Sequence, residues 1–358
     1  MSAQQTMRAV GKSLAQLPAR PSRKPTKSSD RKRKRPRGRL YINEGTPRPA
    51  PPRNHALVKV KAFGLNRMDL LQREGKYPVP PQAPKTMGVE FSGKIVELGE
   101  GVPQPGLGVG DEVFGLAYGG AYAEYVAVSV DMLIRKPGEM SWEEAAGTPE
   151  TWITATQALH LIGNLQREQT VLFHAGASGV SISGIQLAKA HGAKAIYVTA
   201  STAEKIEFCV RELGATAGFN YRTQDWSAEL LKATGGKGVD LIVDFIGASY
   251  FQGNLNAAAM DGRVVCLGLM GGTVLPAGVD IAPFIRKRVR FEGSTLRSRD
   301  EGYQKLLRDQ LVEHALPKLR DGSFKVFVSR VLPFENIVEA HKLMESNQTM
   351  GKIICVIS

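Results

Sequence analysis

The clearest pattern in the first third of the chain is an alternation of apolar and polar positions over residues 55–62, the period of a strand with one buried face. Two further runs of strand character follow at 93–98 and 123–128. Segments rich in proline and glycine, as at 77–81 and 103–106, separate these runs and are typical of turns. The pattern predicts a small β-rich domain.

The pattern changes near residue 141, where Ser141-Trp142-Glu143-Glu144 has the spacing of a helix capping box. Short apolar runs then alternate with segments of helical period, which predicts a parallel sheet covered by helices on both faces, the doubly wound nucleotide-binding architecture. The predicted strands of this sheet are 171–173, 195–198, 239–244 and 263–267, and the predicted helices are 151–162, 181–191 and 204–213. The last stretch returns to mixed signals, with helices near 301–319 and 334–346 and then a strand at 352–357.

The charge of the chain is concentrated at one end. A net charge of +13 over 358 residues would ordinarily suggest a nucleic-acid or membrane partner. Residues 1–39, however, contain thirteen basic side chains and one acidic one, whereas the remainder contains 34 basic and 33 acidic residues. This basic segment, with arginine and lysine alone at 31–35, is predicted to be disordered because it can bury little apolar surface.

Three interpretations of the basic segment are open. Such a run is typical of nuclear-localisation or nucleic-acid-binding patches. A basic, serine-containing and acid-poor stretch is also typical of transit peptides. The third interpretation, which we favour, is an unstructured extension or a stretch translated in error.

Several protein classes are excluded by what the chain lacks. Cys209, Cys266 and Cys355 lie far apart and form no CxxC pair, which excludes a disulfide framework or zinc ribbon and predicts inert core residues. No apolar run approaches the roughly 18 residues of a membrane span, and the first residues lack the apolar region of a secretory signal. We expect a cytoplasmic protein without a membrane partner, unless the basic segment directs it to the nucleus or mitochondrion.

A glycine-containing loop, with Gly176, Ser178, Gly179 and Val180, follows the predicted strand 171–173. Its match to GxGxxG is incomplete. At the first strand-to-helix turn, such glycines permit a tight turn and bring backbone N–H groups to a pyrophosphate. His174, at the start of the loop, is a general-base candidate by type. Its place at the end of a buried strand favours a hydrogen-bonded structural histidine instead.

The second predicted strand favours NADPH over NADH. NAD sites place an acidic residue about 20 residues beyond the glycines to bind the ribose 2′-hydroxyl, and here no acid precedes Glu204. Ser201 and Lys205, with Tyr221 and Arg222 further along, would suit a 2′-phosphate. Alternatively, residues 201–204 form a capping box, which would give the serine a structural role.

Motifs along the chain resemble those of the medium-chain dehydrogenase/reductase superfamily. They are Gly64-Leu65-Asn66-Arg67-Met68-Asp69, Gly88-Val89-Glu90-Phe91-Ser92-Gly93, Gly110-Asp111-Glu112-Val113 and the loop 175–180. Within it, residues 40–358 are similar to the zinc-free quinone oxidoreductases, and most to their tumour-suppressor-inducible branch. The closer likeness is carried by residues 66–72, 218–221, 268–272 and 296–300.

The resemblance implies an α/β fold with a GroES-like β-rich catalytic domain and a Rossmann cofactor domain built on a doubly wound parallel sheet. Residues 7–10 and 40–41 resemble the family's first two strands, with the basic segment inserted between them. The implied division is 1–39 for the disordered basic segment, 40–148 and 296–358 for the catalytic domain, and 149–295 for the NADPH-binding domain. The family commonly pairs cofactor domains edge to edge, so we expect a homodimer joined near Val289–Gly293.

The resemblance also implies a metal-free site. Zinc-dependent relatives carry a cysteine and a histidine ligand where this chain has Asn66 and Val89, and neither side chain can replace a thiolate or imidazole in a tetrahedral zinc site. Tyr77, Asn66 and Asp69 are implied to line the substrate site, with Tyr77 as the best candidate to donate to an oxyanion or to position the substrate. Alternatively, Tyr77 packs on the neighbouring prolines and residues 66–69 cap a helix.

The implied cofactor contacts come from several segments. Thr154 is placed near the nicotinamide, and Ser178 near the pyrophosphate or nicotinamide end. Asp244 and Gly247 end a predicted strand and are expected to contact the ribose or adenine, or else to cap a helix. Gly268 and Met270 follow the next strand, where an added side chain would clash with the nicotinamide half.

The expected activity is NADPH-dependent reduction of quinones, whose carbonyls are electrophilic enough to need little from the protein. The rival enzyme is an enoyl or 2-alkenal reductase, which needs a proton donor at the substrate α-carbon that the sequence does not identify. A function of another class is nucleic-acid binding through residues 20–39. A further alternative is that the basic segment, inserted between the first two strands, damages the opening hairpin and leaves an unstable protein.

Overall fold

The computed structural model describes residues 5–13 and 39–358, which form two larger sheets, one two-stranded sheet and the helices around them. The strands are β1 (Thr6–Ser13), β2 (Arg39–Pro47), β3 (His55–Gly64), β4 (Glu90–Leu98), β5 (Glu112–Leu116), β6 (Tyr125–Ser129), β7 (Leu133–Arg135), β8 (Thr170–Phe173), β9 (Ala195–Ala200), β10 (Ala217–Asn220), β11 (Val239–Asp244), β12 (Ala258–Cys266), β13 (Arg290–Gly293), β14 (Val328–Pro333) and β15 (Lys352–Val356). The helices are α1 (Arg67–Arg73), α2 (Trp142–Ala146), α3 (Pro149–Thr156), α4 (Gly179–His191), α5 (Ala203–Arg211), α6 (Trp226–Ala233), α7 (Phe251–Ala257), α8 (Ala282–Arg286), α9 (Glu301–Gln310), α10 (Leu316–Arg320) and α11 (Ile337–Glu345).

The opening hairpin strands are present and pair antiparallel as β1 and β2. Met7 and Ala9 of β1 are buried against Ala123, which lies just before β6. These alternate apolar side chains hold β1 in place. The disorder predicted for residues 1–39 therefore does not include β1. The run 31–35, with its targeting and nucleic-acid interpretations, lies outside the described residues.

One sheet joins strands from both ends of the chain, in the order β14-β15-β3-β4-β5-β7, with β6 also paired to β3. The predicted strand 55–62 is confirmed as β3, in which Val58 and Val60 are buried and Lys59 between them is exposed. The predicted strands at 93–98, 123–128 and 352–357 correspond to β4, β6 and β15. This is the β-rich domain that the alternation predicted.

The other sheet has six parallel strands in the order β10-β9-β8-β11-β12-β13. Its order reverses between β8 and β11, as in the classic dinucleotide-binding arrangement. Val171, Leu172 and Phe173 of the first strand are fully buried, which fits a strand covered by helices on both faces. The predicted doubly wound Rossmann sheet is confirmed.

Some elements escaped prediction. β10 is short and contains Gly218, which weakens strand character. Helix α6 is begun by Asp225, whose carboxylate accepts from two backbone N–H groups. The domain boundaries stay a prediction, although every strand of the parallel sheet falls within 149–295. Across the described ranges, every helix is too short or too polar to cross a membrane.

Candidate active site

The loop between β8 and α4 lies where the strand order of the parallel sheet reverses, which is where doubly wound sheets bind their ligands. A Cβ on Gly176 would lie 2.6 Å from Val198 Cβ. A Cβ on Gly179 would lie 2.8 Å from Thr151 Cγ2 and 3.1 Å from Lys352 Cδ. The packing therefore requires both glycines, and Gly179 brings the loop against Lys352 of the other sheet.

Ser178 begins α4, a helix of 13 residues, with the extended backbone of an N-cap residue. Its hydroxyl donates to Ser181 Oγ at 3.1 Å and makes no capping bond. The N–H groups of the first turn, including that of Val180, have no partner within a helix. This helix end is thus suited to the pyrophosphate predicted for it.

The end of β9 corrects one sequence prediction. The N-cap of α5 is Thr202, whose hydroxyl accepts from the Lys205 N–H at 3.3 Å. The capping box predicted at 201–204 is therefore wrong, because the helix begins one residue later than that spacing assumed. Ser201 therefore does not cap α5, and it lies half-buried directly after β9.

Cationic and hydroxyl groups gather beyond β9 and β10. Tyr221 is 40% exposed. Burial lowers the pKa of Lys205, and the nearby positive charge of Arg222 lowers it further. An excess of positive charge at this place fits the 2′-phosphate interpretation, since phosphate would relieve the repulsion between the two cations.

Asp244 is fully buried. Its carboxylate accepts from the backbone N–H groups of Ile246 at 2.7 Å and Gly247 at 3.1 Å, and from Asn254 Nδ2 at 3.0 Å. Burial raises the pKa of this carboxyl. These bonds favour the structural alternative for Asp244, which holds a turn in which Gly247 has a φ of +79°.

The next strand end presents Gly268 and Met270. A Cβ on Gly268 would lie 3.0 Å from the Phe245 carbonyl oxygen, so the fold itself already restricts this position. Met270 is 50% exposed at the rim. Their predicted contacts with the nicotinamide half stay predictions.

His174 is fully buried with both ring nitrogens hydrogen-bonded. Nδ1 lies 3.0 Å from Thr199 Oγ1, and Nε2 lies 2.7 Å from Asn254 Oδ1. Burial lowers the pKa of this histidine, so it is neutral at pH 7. These contacts agree with the structural role that the sequence favoured.

A buried cationic centre lies on the other sheet, facing the loop between β8 and α4, and the space between the two is called the cleft. Lys352 Nζ donates to the Leu65 carbonyl at 2.8 Å, to Asn66 Oδ1 at 2.9 Å and to Glu90 Oε1 at 2.5 Å. Asn66 Nδ2 donates to the same Glu90 oxygen at 2.8 Å, and the other Glu90 oxygen accepts from the Glu150 N–H at 2.9 Å. Asn66 is therefore held through both ends of its amide, which leaves one Nδ2 hydrogen for a substrate.

The residues at this centre do not fit a zinc ion. The two positions that carry ligands in zinc-dependent relatives hold Asn66 and Val89, and Val89 is apolar and 1% exposed. The ammonium of Lys352 already supplies a positive charge beside Asn66 and Glu90. Among residues 5–13 and 39–358, no group of three or more histidine, cysteine, aspartate or glutamate side chains is placed to hold a metal.

Asp69 lies beneath the cleft and has no exposed surface. Its Oδ2 accepts from Tyr122 Oη and from the Asn66 N–H, both at 2.8 Å, while its Oδ1 has no hydrogen-bond partner among the described residues. Burial raises the pKa of this carboxyl to about 6. Asp69 thus supports Asn66 from below, and its predicted direct contact with substrate has no exposed atom to make it.

Tyr77 is half-buried, and the Arg297 guanidinium carbon lies 5.5 Å from the centre of its ring. Arg297 is held by the Tyr118 carbonyl at 2.7 Å and by Gln72 Oε1 at 2.6 Å. Burial raises the pKa of Tyr77, so its hydroxyl stays a donor at neutral pH. The nearby Arg297 cation favours a role for Tyr77 in the site over the alternative in which its ring only packs on the neighbouring prolines.

Glu150 and Thr154 lie one turn apart on α3 and are both half-buried, while the three residues between them are buried. The spacing places both side chains on the same face of the helix. Burial raises the pKa of Glu150 to about 8, with a further contribution from the negative charge of Glu90. Glu150 therefore carries a proton at neutral pH.

Four residues of this site were not identified from the sequence: Glu90, Glu150, Arg297 and Lys352. One signal was available for Lys352, which is the single charged residue of an otherwise apolar strand. Such a residue is rarely buried unless it is paired. Glu90 gave no such signal, because its strand also carries Lys94 and Glu97. Glu150 gave no signal, because an acid in the first turn of a helix is ordinary.

The cysteines carry no reactive setting. All three are free, and burial raises the pKa of Cys209 and Cys355 to about 12. The expectation of inert core thiols agrees with the surroundings of Cys209 and Cys355, whereas Cys266 is half-buried and lies outside the core.

Comparisons with known proteins agree with this architecture. Residues 52–138 match the family described as "Alcohol dehydrogenase GroES-like domain", and residues 179–311 match "Zinc-binding dehydrogenase". The chain is 31% identical over 320 residues to the synaptic vesicle membrane protein VAT-1 homolog of Rattus norvegicus, covering 86% of this chain and 78% of that protein. It is also 31% identical over 314 residues to quinone oxidoreductase 1 of Escherichia coli, covering 86% and 92%.

A solved structure extends the likeness to three dimensions. Escherichia coli quinone oxidoreductase complexed with NADPH superposes with a TM-score of 0.78 at 29% identity, covering 88% of this chain and 95% of that one. The specific likeness to the tumour-suppressor-inducible branch stays a prediction. The motifs, the two sheets and these relatives together place the chain in the medium-chain dehydrogenase/reductase superfamily, as an oxidoreductase of its zinc-free quinone oxidoreductase branch.

Proposed function

We propose that this chain reduces quinones with NADPH and without a metal ion. The observation that carries the proposal is the close approach of Gly179 to Lys352, where an added Cβ would lie 3.1 Å from Lys352 Cδ, because it brings the phosphate loop beside the buried centre that holds Asn66. The Escherichia coli relative complexed with NADPH supports the choice of cofactor.

The residues present fit NADPH. The first turn of α4, with Gly179 and Val180, would hold the pyrophosphate through backbone N–H groups. Ser201, Lys205 and Tyr221 would hold the 2′-phosphate, and Thr154 would lie near the nicotinamide. When bound, the cofactor supplies a hydride to the substrate.

The chain's own residues would stabilise the charge that then develops on the quinone oxygen. Tyr77 Oη and the remaining Nδ2 hydrogen of Asn66 are the donors, and Arg297 behind Tyr77 adds positive charge. Such donors act most strongly when they are held in place before the reaction. Lys352 and Asp69 fix Asn66 in this way, and neither needs to touch the substrate.

A second candidate activity, reduction of 2-alkenals, is favoured by Glu150. Hydride addition to the β-carbon of a 2-alkenal leaves an enolate whose α-carbon must be protonated, whereas hydride addition to a quinone gives an aromatic phenolate that takes its proton on oxygen. A protonated carboxyl on the face of α3 that carries Thr154 would be suited to this step.

The test compares NADPH oxidation with 1,2-naphthoquinone and with trans-2-hexenal, using wild type and Tyr77→Phe. Quinone turnover that prefers NADPH and falls about 10-fold or more in Tyr77→Phe would support the proposal. Turnover of the alkenal alone would replace quinone reduction by the second candidate. Unchanged quinone turnover in Tyr77→Phe would remove Tyr77 from the site.

A further inference from the structure

Asn347 joins the catalytic domain to the cofactor domain beside the group of cations. Arg67 Nη2, from the first turn of α1, donates to Asn347 Oδ1 at 2.6 Å. Lys205 Nζ, on α5 of the other domain, donates to the Asn347 carbonyl at 2.6 Å. Asn347 follows α11 with a φ of +57°, a left-handed conformation that asparagine tolerates better than most residues. Two cations from opposite sides of the cleft thus share one residue.

Arg222 adds a third positive charge to this place. Arg222 and Arg67 both lie close enough to Lys205 to disfavour its charged form, and burial disfavours the charged form of Arg67 itself. The carboxylates of Glu204, near Lys205, and Glu345, near Arg67, offset only part of these effects, since both pKa values remain lowered. Holding like charges together in partly buried surroundings costs free energy. An anion placed among them would reverse that cost. A group of positive charges on both sides of a cleft is typical of a site that binds an anion.

We propose that Arg67 completes the 2′-phosphate site from the catalytic domain, so that the phosphate is clamped between Arg67 on one side and Lys205 on the other. This inference rests on the proposed use of NADPH. The proposal adds Arg67 to the phosphate site. The positions of Lys205 and Tyr221 do not lead to Arg67, because Arg67 lies 138 residues before Lys205 in the chain and belongs to another domain.

Arg67 and Lys205 would bind the phosphate in different ways, because their side chains carry different donors. Arginine offers five N–H donors in a planar fork that matches phosphate oxygens in pairs, whereas lysine acts as a point charge. Arg67 spends one nitrogen on Asn347 and retains others for an oxygen of the phosphate. A ribose without the phosphate gives Arg67 no anion to bind, so Arg67 discriminates NADPH from NADH.

The test is the binding of NADPH and NADH to the full chain by isothermal titration calorimetry, for wild type, Arg67→Met and Arg67→Lys. Arg67→Met should weaken NADPH by about 10- to 100-fold, the range expected for a lost charge-assisted hydrogen bond, and leave NADH unchanged. Arg67→Lys should lie between the two. Arg53→Met, in an exposed turn before β3, is the matched control and should change neither affinity.

Adenosine 2′,5′-bisphosphate, titrated against AMP, separates the phosphate from the rest of the cofactor. It should lose affinity in Arg67→Met by the same factor as NADPH, and AMP should not. Equal weakening of NADPH and NADH, or no weakening of either, would overturn the role of Arg67 while leaving NADPH use intact. A wild-type chain that binds both cofactors equally would instead overturn the cofactor preference itself, and the clamp with it.

Discussion

Lys352 Nζ lies 2.5 Å from Glu90 Oε1, and both side chains are almost completely removed from solvent. The two residues are 262 positions apart in the chain and lie on β4 and β15, which flank β3 in one sheet. Asn66 bonds to both of them. This pair therefore fixes the residue that replaces a metal ligand, and it ties the last strand of the chain to the cleft.

Breaking this pair from one side should destabilise the protein strongly. Lys352→Met leaves the Glu90 carboxylate buried without a cation, which costs about 3–5 kcal/mol of unfolding free energy. Urea unfolding of wild type and variant measures the loss. Adding Glu90→Gln to Lys352→Met should restore a large part of it, because the stranded charge is then gone.

An exposed pair provides the control. Lys94 and Glu112 are 3.1 Å apart with side chains 49% and 38% exposed, so Lys94→Met should cost at most about 1 kcal/mol. Equal losses in Lys94→Met and Lys352→Met would contradict the importance given to the buried pair.

Glu150 should control the pH dependence of any 2-alkenal reduction. With a pKa near 8, its carboxyl is protonated at pH 7 and loses the proton as pH rises through about 8, so the rate should fall there. Glu150→Gln should abolish that dependence and lower kcat for trans-2-hexenal by roughly 100-fold or more. Quinone reduction should keep most of its rate. Glu139→Gln, at an exposed site, is the control, and a pH profile identical in wild type and Glu150→Gln would refute the assignment.

Asp69 should make the protein less stable as pH rises from about 4 to 6. Its folded-state pKa of about 6 lies above the ordinary value of 3.8, so the unfolded chain releases this proton first and rising pH favours unfolding across that window. Asp69→Asn keeps an oxygen to accept from Tyr122 and removes the titration. The stability of Asp69→Asn relative to wild type should therefore increase by up to about 3 kcal/mol between pH 4 and pH 7. A difference in unfolding free energy that stays constant over this pH range would show that burial does not raise the pKa of the Asp69 carboxyl.

The free edge of β13 should pair two cofactor domains. β13 is the last strand of the parallel sheet, and Ile281 and Ile285, from the segment just before it, are 63% and 84% exposed. Exposed apolar patches of this kind mark interaction surfaces. Sedimentation should give a dimer for wild type and a monomer for Ile285→Asp. Val109→Asp, at an exposed apolar position of the other domain, should remain dimeric, and a monomeric wild type would contradict the homodimer.

The fold could be predicted from the sequence because its elements carry local signals. The alternation in β3 and the apolar runs of β8 and β11 determine which faces are buried. Contacts between distant residues carry no such signal. The sequence placed Asn66 in the site through a family motif, but the Glu90–Lys352 pair that holds it depends on how strands from both ends of the chain meet.

The cofactor side shows the same limit. Lys205 and Tyr221 were predicted because no acid precedes Glu204 after the second predicted strand, and because a lysine and hydroxyl groups suit a 2′-phosphate. Arg67 reaches them through Asn347, from a helix of the other domain, and no spacing in the sequence indicates that approach. The N-cap of α5 was predicted one residue early, at Ser201, because Ser201 and Thr202 are both good N-cap residues.

The most direct test of the central claim is the initial rate of NADPH oxidation by the purified chain with 1,2-naphthoquinone, measured beside NADH at equal concentration. We expect quinone-dependent turnover with kcat/KM at least 10-fold higher for NADPH, in the presence of a chelator that would strip a catalytic metal. Turnover that the chelator abolishes, or no turnover with either cofactor despite a folded chain, would contradict it.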